Sequence, residues 1–243
     1  MGYRQAEEVA QSAKISEMLG VNGIDISVVT GANRGIGLAL VQQLQLRGAA
    51  VVAVCRQPSP ALQSLGVRVE RGIDVADPQS WSELALRLAK DDIELLIHNA
   101  GIGRFESLEA ATPENALAQF QVNALAPLFL TRALLHRIRP HAKVALVSSR
   151  MGSIGDNTSG GFYGYRMSKA ALNAAGVCLA HDLKPRGIAV VILHPGAVRT
   201  GMTDGRGDIE PVESACGMLD RIDALELGTT GQFLHQNGTV LPW

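Results

Sequence analysis

The sequence lacks most of what would tie a chain to a disulfide framework, a metal, a nucleic acid or a membrane. Its three cysteines, Cys55, Cys178 and Cys216, are odd in number, widely separated and never in a CxxC pair. That argues against a disulfide scaffold and a zinc site, and leaves reduced, mostly buried thiols as the expectation. His136, His141 and His181 show no ligand spacing, so no metal is expected. Charge of one sign is also missing. With 22 Lys and Arg against 23 Asp and Glu, the surface has no basic excess to neutralise nucleic-acid phosphates. The first 23 residues contain no uninterrupted apolar run, because Arg4, Glu7, Glu8, Lys14 and Glu17 break it. Neither a signal peptide nor a membrane span is expected there, and a cytoplasmic location follows by default. Repeats and low-complexity tracts are absent too. Glycosylation-like triplets at Asn157 and Asn237, and the tripeptide Arg206-Gly207-Asp208, are short enough to recur by chance and carry no weight.

What is present is apolar residue in quantity, 47 % of 243, enough for one large core. Short runs rich in Val and Ile alternate with segments of helical period. Strands are expected at 24–29, 49–55, 67–71, 93–98, 144–148, 188–193 and 231–236. Helices are expected at 35–47, 79–90, from 112, at 127–138, 163–183 and 211–225. The alternation predicts an α/β fold: a doubly wound parallel sheet of about seven strands with helices on both faces, in three α/β/α layers. No linker divides the series, so residues 24–243 read as one domain behind an N-terminal extension of residues 1–23.

The stretch Thr30-Gly31-Ala32-Asn33-Arg34-Gly35-Ile36-Gly37 leaves the first strand and opens the first helix, as a dinucleotide-binding loop must. Gly31 suits the tight turn, Gly35 the approach of a pyrophosphate to backbone, and Gly37 close packing of helix on strand. The helix N-terminus adds unpaired N–H groups and a positive dipole end. The second strand ends at Arg56, with no Asp or Glu between residues 49 and 69. An acidic residue there would accept from a ribose 2′-hydroxyl, whereas an arginine pairs with a 2′-phosphate. Arg34 and Arg56 could clamp that phosphate together, so the expected cofactor is NADP(H).

A second constellation is Tyr165 with Lys169, one turn apart on the long helix, and Ser148-Ser149 at the end of the fifth strand. A phenol with a pKa near 10 holds its proton at neutral pH, so a proton-transfer role gains from a nearby cation. At ~4 Å and a dielectric of about 20 the attraction is ~4 kcal/mol, enough to lower the phenol by up to about three pKa units before desolvation is subtracted.

Taken together these residues resemble the short-chain dehydrogenase/reductase family, a Rossmann-type fold, from residue 24 to the end. TGxxxGIG at 30–37, Asn99-Ala100-Gly101, Asn123, the Ser149 position, YxxxK at Tyr165 and Lys169, and Pro195-Gly196 occur in family order. The resemblance implies an oxidoreductase with Tyr165 as general acid, Ser149 bonding the substrate oxygen, and Lys169 lowering the phenol and holding the nicotinamide ribose. Asn123 would anchor the lysine through water and complete a proton relay. Ser149 is preferred to Ser148 because the family's serine stands three residues before a glycine, here Gly152. Asp74 and Val75 would lie against the adenine, Asn99, Ala100 and Gly101 would line the cleft, and Val198 and Thr200 would hold the carboxamide beyond Pro195 and Gly196.

His98, which replaces a common asparagine, reads as a satisfied buried histidine. Tyr163 reads as a border of the substrate cleft. The Gly-, Ser- and Asn-rich stretch 152–162 reads as a flexible rim. The segment after Gly196, a substrate lid in the family, is short and polar here and implies an open, permissive pocket. The chain's ending resembles the subgroup of C-factor-like proteins and sniffer-type carbonyl reductases. The leading expectation is reversible, NADPH-dependent reduction of a small aldehyde or ketone. The rival is an NADP(H)-binding signalling or redox-sensing protein of C-factor type with little turnover. A homodimer or homotetramer is expected from the family, paired through the helices that begin near 127 and 163.

Overall fold

A computed structural model describes residues 25–243; the expected extension 1–23 and the first residue of the first expected strand lie outside them. Seven strands make one sheet: β1 (Asp25–Thr30), β2 (Val51–Cys55), β3 (Arg68–Arg71), β4 (Asp92–His98), β5 (Ile138–Val147), β6 (Ala189–His194) and β7 (Phe233–His235). All pairings are parallel, in the order β3-β2-β1-β4-β5-β6-β7. This is the doubly wound architecture expected, and its order reverses between β1 and β4. A crevice opens there, outside the carboxyl ends of the strands, where such sheets bind ligands.

Strand periodicity divides the core in two. Val28, Leu96, Val144, Leu146 and Ile192 point to one face, and Val29, Leu95, Ile97, Ala145, Val147 and Val191 to the other. On the first face pack α3 (Pro78–Arg87), α5 (Ala126–Leu134) and α6 (Tyr163–Leu183), through Leu84, Leu130, Leu134, Leu172 and Leu179. On the second pack α1 (Gly35–Leu46), the short α2 (Pro60–Gln63) and α7 (Pro211–Asp223), through Leu40, Leu44, Leu62, Met218 and Leu219. Both faces are covered, as a parallel sheet requires. The helix starts follow the capping signals: Asp77 accepts from Gln79 N–H at 2.9 Å ahead of Pro78. Thr112 accepts from Asn115 N–H at 3.2 Å and opens α4 (Pro113–Phe120).

Two differences from the expectation matter. α5 stops at Leu134, and β5 begins at Ile138, six residues before the strand expected at 144. Arginines draw this stretch beside β4: Arg137 donates to the Asp91 carbonyl at 2.7 Å and to Asp92 at 2.8 Å, and Arg139 reaches Glu94 at 3.1 Å. Between α4 and α5 the chain makes a π turn, Gln121–Leu125, which carries Asn123. Pro127 has no N–H to give the Asn123 carbonyl four residues back, and the ladder widens so that Ala126 N–H meets Gln121 O.

α6 approaches β6 closely at Gly176, where a Cβ would stand 2.6 Å from Ile192 Cγ1 and 2.9 Å from Leu146 Cδ1. Gly176→Val should therefore overpack the core and cost about 1–3 kcal/mol, read as a lower urea midpoint; an unchanged midpoint would refute this account of α6 packing.

Candidate active site

The crevice is a cleft of about 660 Å³ running from Arg56 at one end to Tyr165 and Lys169 at the other. Its floor is the loop between β1 and α1, locked to the loop after β4. Thr30 Oγ1 accepts the N–H groups of Asn99 and Ala100, both at 3.1 Å, and Asn99 Nδ2 donates to the carbonyls of Thr30 and Gly31 at 3.0 and 3.3 Å. Asn99 and Ala100 thus line the cleft, but the Asn99 amide is spent on the lock. Gly31 takes φ +66, with Ala100 Cα 2.8 Å from where a Cβ would be. At Gly37 a Cβ would lie 2.2 Å from Gly31 O. The close approach there is of the first helical turn to its own loop, not of helix to strand.

The N-terminus of α1 has no side-chain cap and no acidic residue in its first turn, so its orphan N–H groups and dipole face the cleft. That is an anion site fit for a pyrophosphate. Asn33, Arg34, Gly35 and Ile36 line the same stretch, followed by Arg56, Asp74 and Val75 at the far end. The Arg56 side chain is 71 % exposed and only 3.8 Å from an Asp74 oxygen, a pair worth at most about 1 kcal/mol. Asp74 also accepts from Ala76 N–H at 3.0 Å.

At the other end Tyr165 and Lys169 are buried side by side on α6, with the Lys169 ammonium 5.8 Å from the Tyr165 ring centre. Lys169 Nζ donates to the Val147 carbonyl at 2.8 Å, and burial brings it down to about 8. The phenol is pushed up to about 12 by burial, the hydrogen bond with Ser149 pulling the other way. The lowering expected from the sequence is not found: desolvation outweighs the cation, which is turned to a backbone carbonyl. Ser149 is the serine that meets Tyr165. Ser148 lines the cleft, which Ser149 does not, and donates to Asn173 Oδ1 on α6 at 2.6 Å.

Asn123 is fully buried and does not reach the cleft. Its amide donates to Ile102 O at 2.8 Å and Ser168 Oγ at 2.9 Å, while Ile102 N–H donates to its Oδ1 at 2.9 Å. Both amide hydrogens are committed, and the side chain braces the loop at Ile102 against Ser168. Ser168 passes the brace on by donating to Tyr165 O at 2.8 Å. Gly101 sits where a Cβ would lie 3.2 Å from Asn123 Oδ1 and 3.7 Å from Lys169 Nζ.

Beyond β6, Pro195 and Thr200 line the cleft, but Gly196 and Val198 do not. Gly196 packs on Ile209, and buried Val198 bridges to Ile209. Thr200 caps a short 3-10 turn, Gly201–Thr203, in the segment that follows. The rim 152–162 is tied down: Arg150 pairs with Asp156 at 2.7 Å, and Arg166 holds Ser159 and the carbonyls of Gly160 and Gly161. Tyr163 stands outside the cleft lining. His98 is buried, bonded to Thr131 at 2.8 Å and pushed down to about 3 by burial, as expected of a neutral structural histidine. Sequence reasoning missed Ile73, Ile102, Val122, Val147 and Met202 in the lining. Apolar type alone does not separate them from core. Among the described residues no cluster of His, Cys, Asp or Glu could hold a metal, and no helix is long and apolar enough to cross a membrane.

A doubly wound sheet with a glycine loop at its switch point and a buried Tyr–Lys pair beside it defines a dinucleotide-binding oxidoreductase. The chain belongs to the short chain dehydrogenase family, whose model matches residues 25–210. It is 39 % identical over 222 residues to 1-hydroxy-2-glutathionyl-2-methyl-3-butene dehydrogenase of Rhodococcus sp. strain AD45, covering 89 % of this chain and 98 % of that one. It is 41 % identical over 162 residues to the C-signal of Myxococcus xanthus, covering 65 % of this chain and 98 % of that one. The NADPH-bound carbonyl reductase from chicken fatty liver matches at TM-score 0.83 and 33 % identity, covering 91 % of this chain and all (100 %) of that one. The carbonyl reductase Sniffer of D. melanogaster matches at 0.85 and 30 %, covering 90 % and 100 %. The resemblance to the C-factor and sniffer subgroup is thereby met.

The Lys169 pKa, lowered on folding, makes a stability prediction. Between pH 8 and the ordinary lysine range the unfolded chain holds the proton that the folded chain has lost, so this group's destabilising effect fades as pH rises. In the cofactor-free protein, Lys169→Met should be more stable than wild type at pH 7 by about 1–3 kcal/mol. That gap should narrow toward pH 10 in urea titrations; a variant that is less stable at pH 7, or a gap that does not narrow, would contradict the burial cost.

Proposed function

We propose that this chain reduces small aldehydes or ketones to alcohols with NADPH, reversibly, and that Tyr165 is its general acid and base. The observation that carries the reading is the joint burial of Tyr165 and Lys169, with Ser149 on the phenol, at one end of a cleft whose other end presents Arg56. When bound, the nicotinamide supplies the hydride to the carbonyl carbon. A phenol at about 12 keeps its proton at neutral pH and delivers it to the oxygen as charge develops there. Lys169, at about 8, is still mostly an ammonium at pH 7 and stabilises the phenolate left behind. Ser149 donates a hydrogen bond to the same oxygen. Asn123 and Ser168 hold the α6 backbone at Tyr165 and so position the phenol.

The NADP(H) preference rests on Arg56 and Arg34, with no carboxylate at the end of β2 to accept from a ribose hydroxyl. The weak Asp74 contact leaves Arg56 free to turn to a phosphate. An NADPH-bound carbonyl reductase among the structural neighbours agrees with this. The similarity to C-signal favours the rival reading, a signalling protein. The braced Ser149, Tyr165 and Lys169 set favours the enzyme, because a sensor has no use for a poised acid.

Two measurements separate these readings. Tyr165→Phe should lower kcat/KM for NADPH-dependent carbonyl reduction by about 10²–10⁴-fold while NADPH still binds. If both proteins bind NADPH tightly and are equally inert across a broad carbonyl panel, the sensor reading wins. Arg56→Asp should lower the NADPH over NADH preference by roughly 10–100-fold, as expected for loss of a charge-assisted pair; an unchanged ratio would remove Arg56 from cofactor selection.

A further inference from the structure

Beside the proton donor stands an exposed phenylalanine on a loop that cannot move far. Phe105 is 42 % exposed, yet the backbone around it is held on both sides. Asn123 brackets Ile102 through its N–H and carbonyl, and Oε1 of fully buried Gln119 accepts Arg104 N–H at 2.8 Å. Glu106 O accepts Phe162 N–H at 3.0 Å. The Phe105 ring lies edge-on to Tyr165 at 5.4 Å and to Phe162 at 5.2 Å, within the range of favourable aromatic pairs. From the lid comes Met202, 39 % exposed and lining the cleft. The two side chains meet over Gly103, where a Cβ would stand 2.9 Å from Phe105 Cζ and 3.3 Å from Met202 Sδ.

Of the arginines nearest the ring, Arg150 is paired with a carboxylate, and the other two are bonded to neutral acceptors. Arg104 is bonded to Asn115, Arg150 to Asp156, and Arg166 to Ser159 and the Gly160 carbonyl. A carboxylate brought against the Phe105 ring and the Met202 sulfur would lose water to apolar atoms. A flat apolar group would find a ring edge and a polarizable sulfur.

We propose that Phe105 and Met202 determine specificity, receiving the apolar, ring-bearing end of an uncharged carbonyl compound while its oxygen faces Tyr165 and Ser149. The proposal rests on the reductase reading above. Its test compares benzaldehyde, propanal and para-carboxybenzaldehyde with NADPH, in wild type, Phe105→Ala, Phe105→Leu and Met202→Ala, with NADPH affinity as the check on folding. Wild type should prefer benzaldehyde to both others. Phe105→Ala and Met202→Ala should each cut the benzaldehyde-to-propanal ratio of kcat/KM about tenfold, mainly through KM, and Phe105→Leu should keep more of it. Ratios that stay at the wild-type value, or a wild-type preference for the carboxylated aldehyde, would overturn the assignment. If wild type turns over none of the three, calorimetric binding of benzyl alcohol to the NADP-saturated protein decides. Binding that Phe105→Ala abolishes supports the wall while the reductase reading falls; no binding overturns both.

Discussion

Everything functional in this fold depends on one small lock at the centre of the sheet. β1 and β4 are neighbours whose following chains depart in opposite directions, which is why a crevice opens between them. Left alone, two diverging loops would be the mobile part of the molecule. Here the Thr30 hydroxyl accepts two backbone N–H groups from the β4 loop, and the Asn99 amide returns two hydrogen bonds to the β1 loop. The lock needs backbone to approach backbone, and so it needs Gly31 and Gly37, where a Cβ would collide with Ala100 and with the Gly31 carbonyl. The α1 N-terminus is thereby held at the cleft floor with its N–H groups aimed outward, an anion site made of backbone alone.

The other end of the cleft works on the opposite principle, with ionisable side chains in a place hostile to charge. Burial moves Tyr165 up and Lys169 down, each toward its neutral form. The Val147 carbonyl keeps the ammonium hydrogen-bonded at 2.8 Å, and Ser149 is near enough to the phenol to oppose its rise. At neutral pH the phenol is uncharged folded or unfolded, but the buried ammonium weakens the fold, and the surrounding structure has to offset that cost. It does so with a stiff frame. Asn123, set inward by the π turn that Pro127 helps to force, joins the loop at Ile102 to Ser168 and the backbone of Tyr165. Irregular helix, buried amide and strained ionisations are thus one device.

Much of this was legible from the chain, for a definable reason. The sheet, its order of elements and the span of α6 follow from periodicity, and the starts of α3 and α4 from caps, which are local properties. The glycine loop and YxxxK were legible because a phosphate site and a one-turn pairing are each written in a few consecutive residues. Failures fall where distant segments decide. β5 starts early because Arg137 and Arg139 find carboxylates on β4, and the phenol rises because burial beats a cation whose partner is elsewhere. Val198 and Gly196 belong to a bridge with Ile209 that their own neighbours in sequence do not announce.

The substrate wall was the least legible part, and its physics explains why. Phe105, Phe162 and Met202 come from three separate segments and converge only in the fold. None carries a charge or a spacing that a sequence reader could seize on. Apolar residues outside the regular elements are common on protein surfaces and usually mean nothing. What marks Phe105 is the combination of exposure with restraint: an apolar ring left partly in solvent, on backbone held by two fully buried amides, beside the buried phenol of Tyr165. Packing alone would have turned the ring inward and freed the amides. A chain that keeps them engaged to hold a ring outward is spending order on presentation, and a surface presented that rigidly beside a reactive group is built for a ligand.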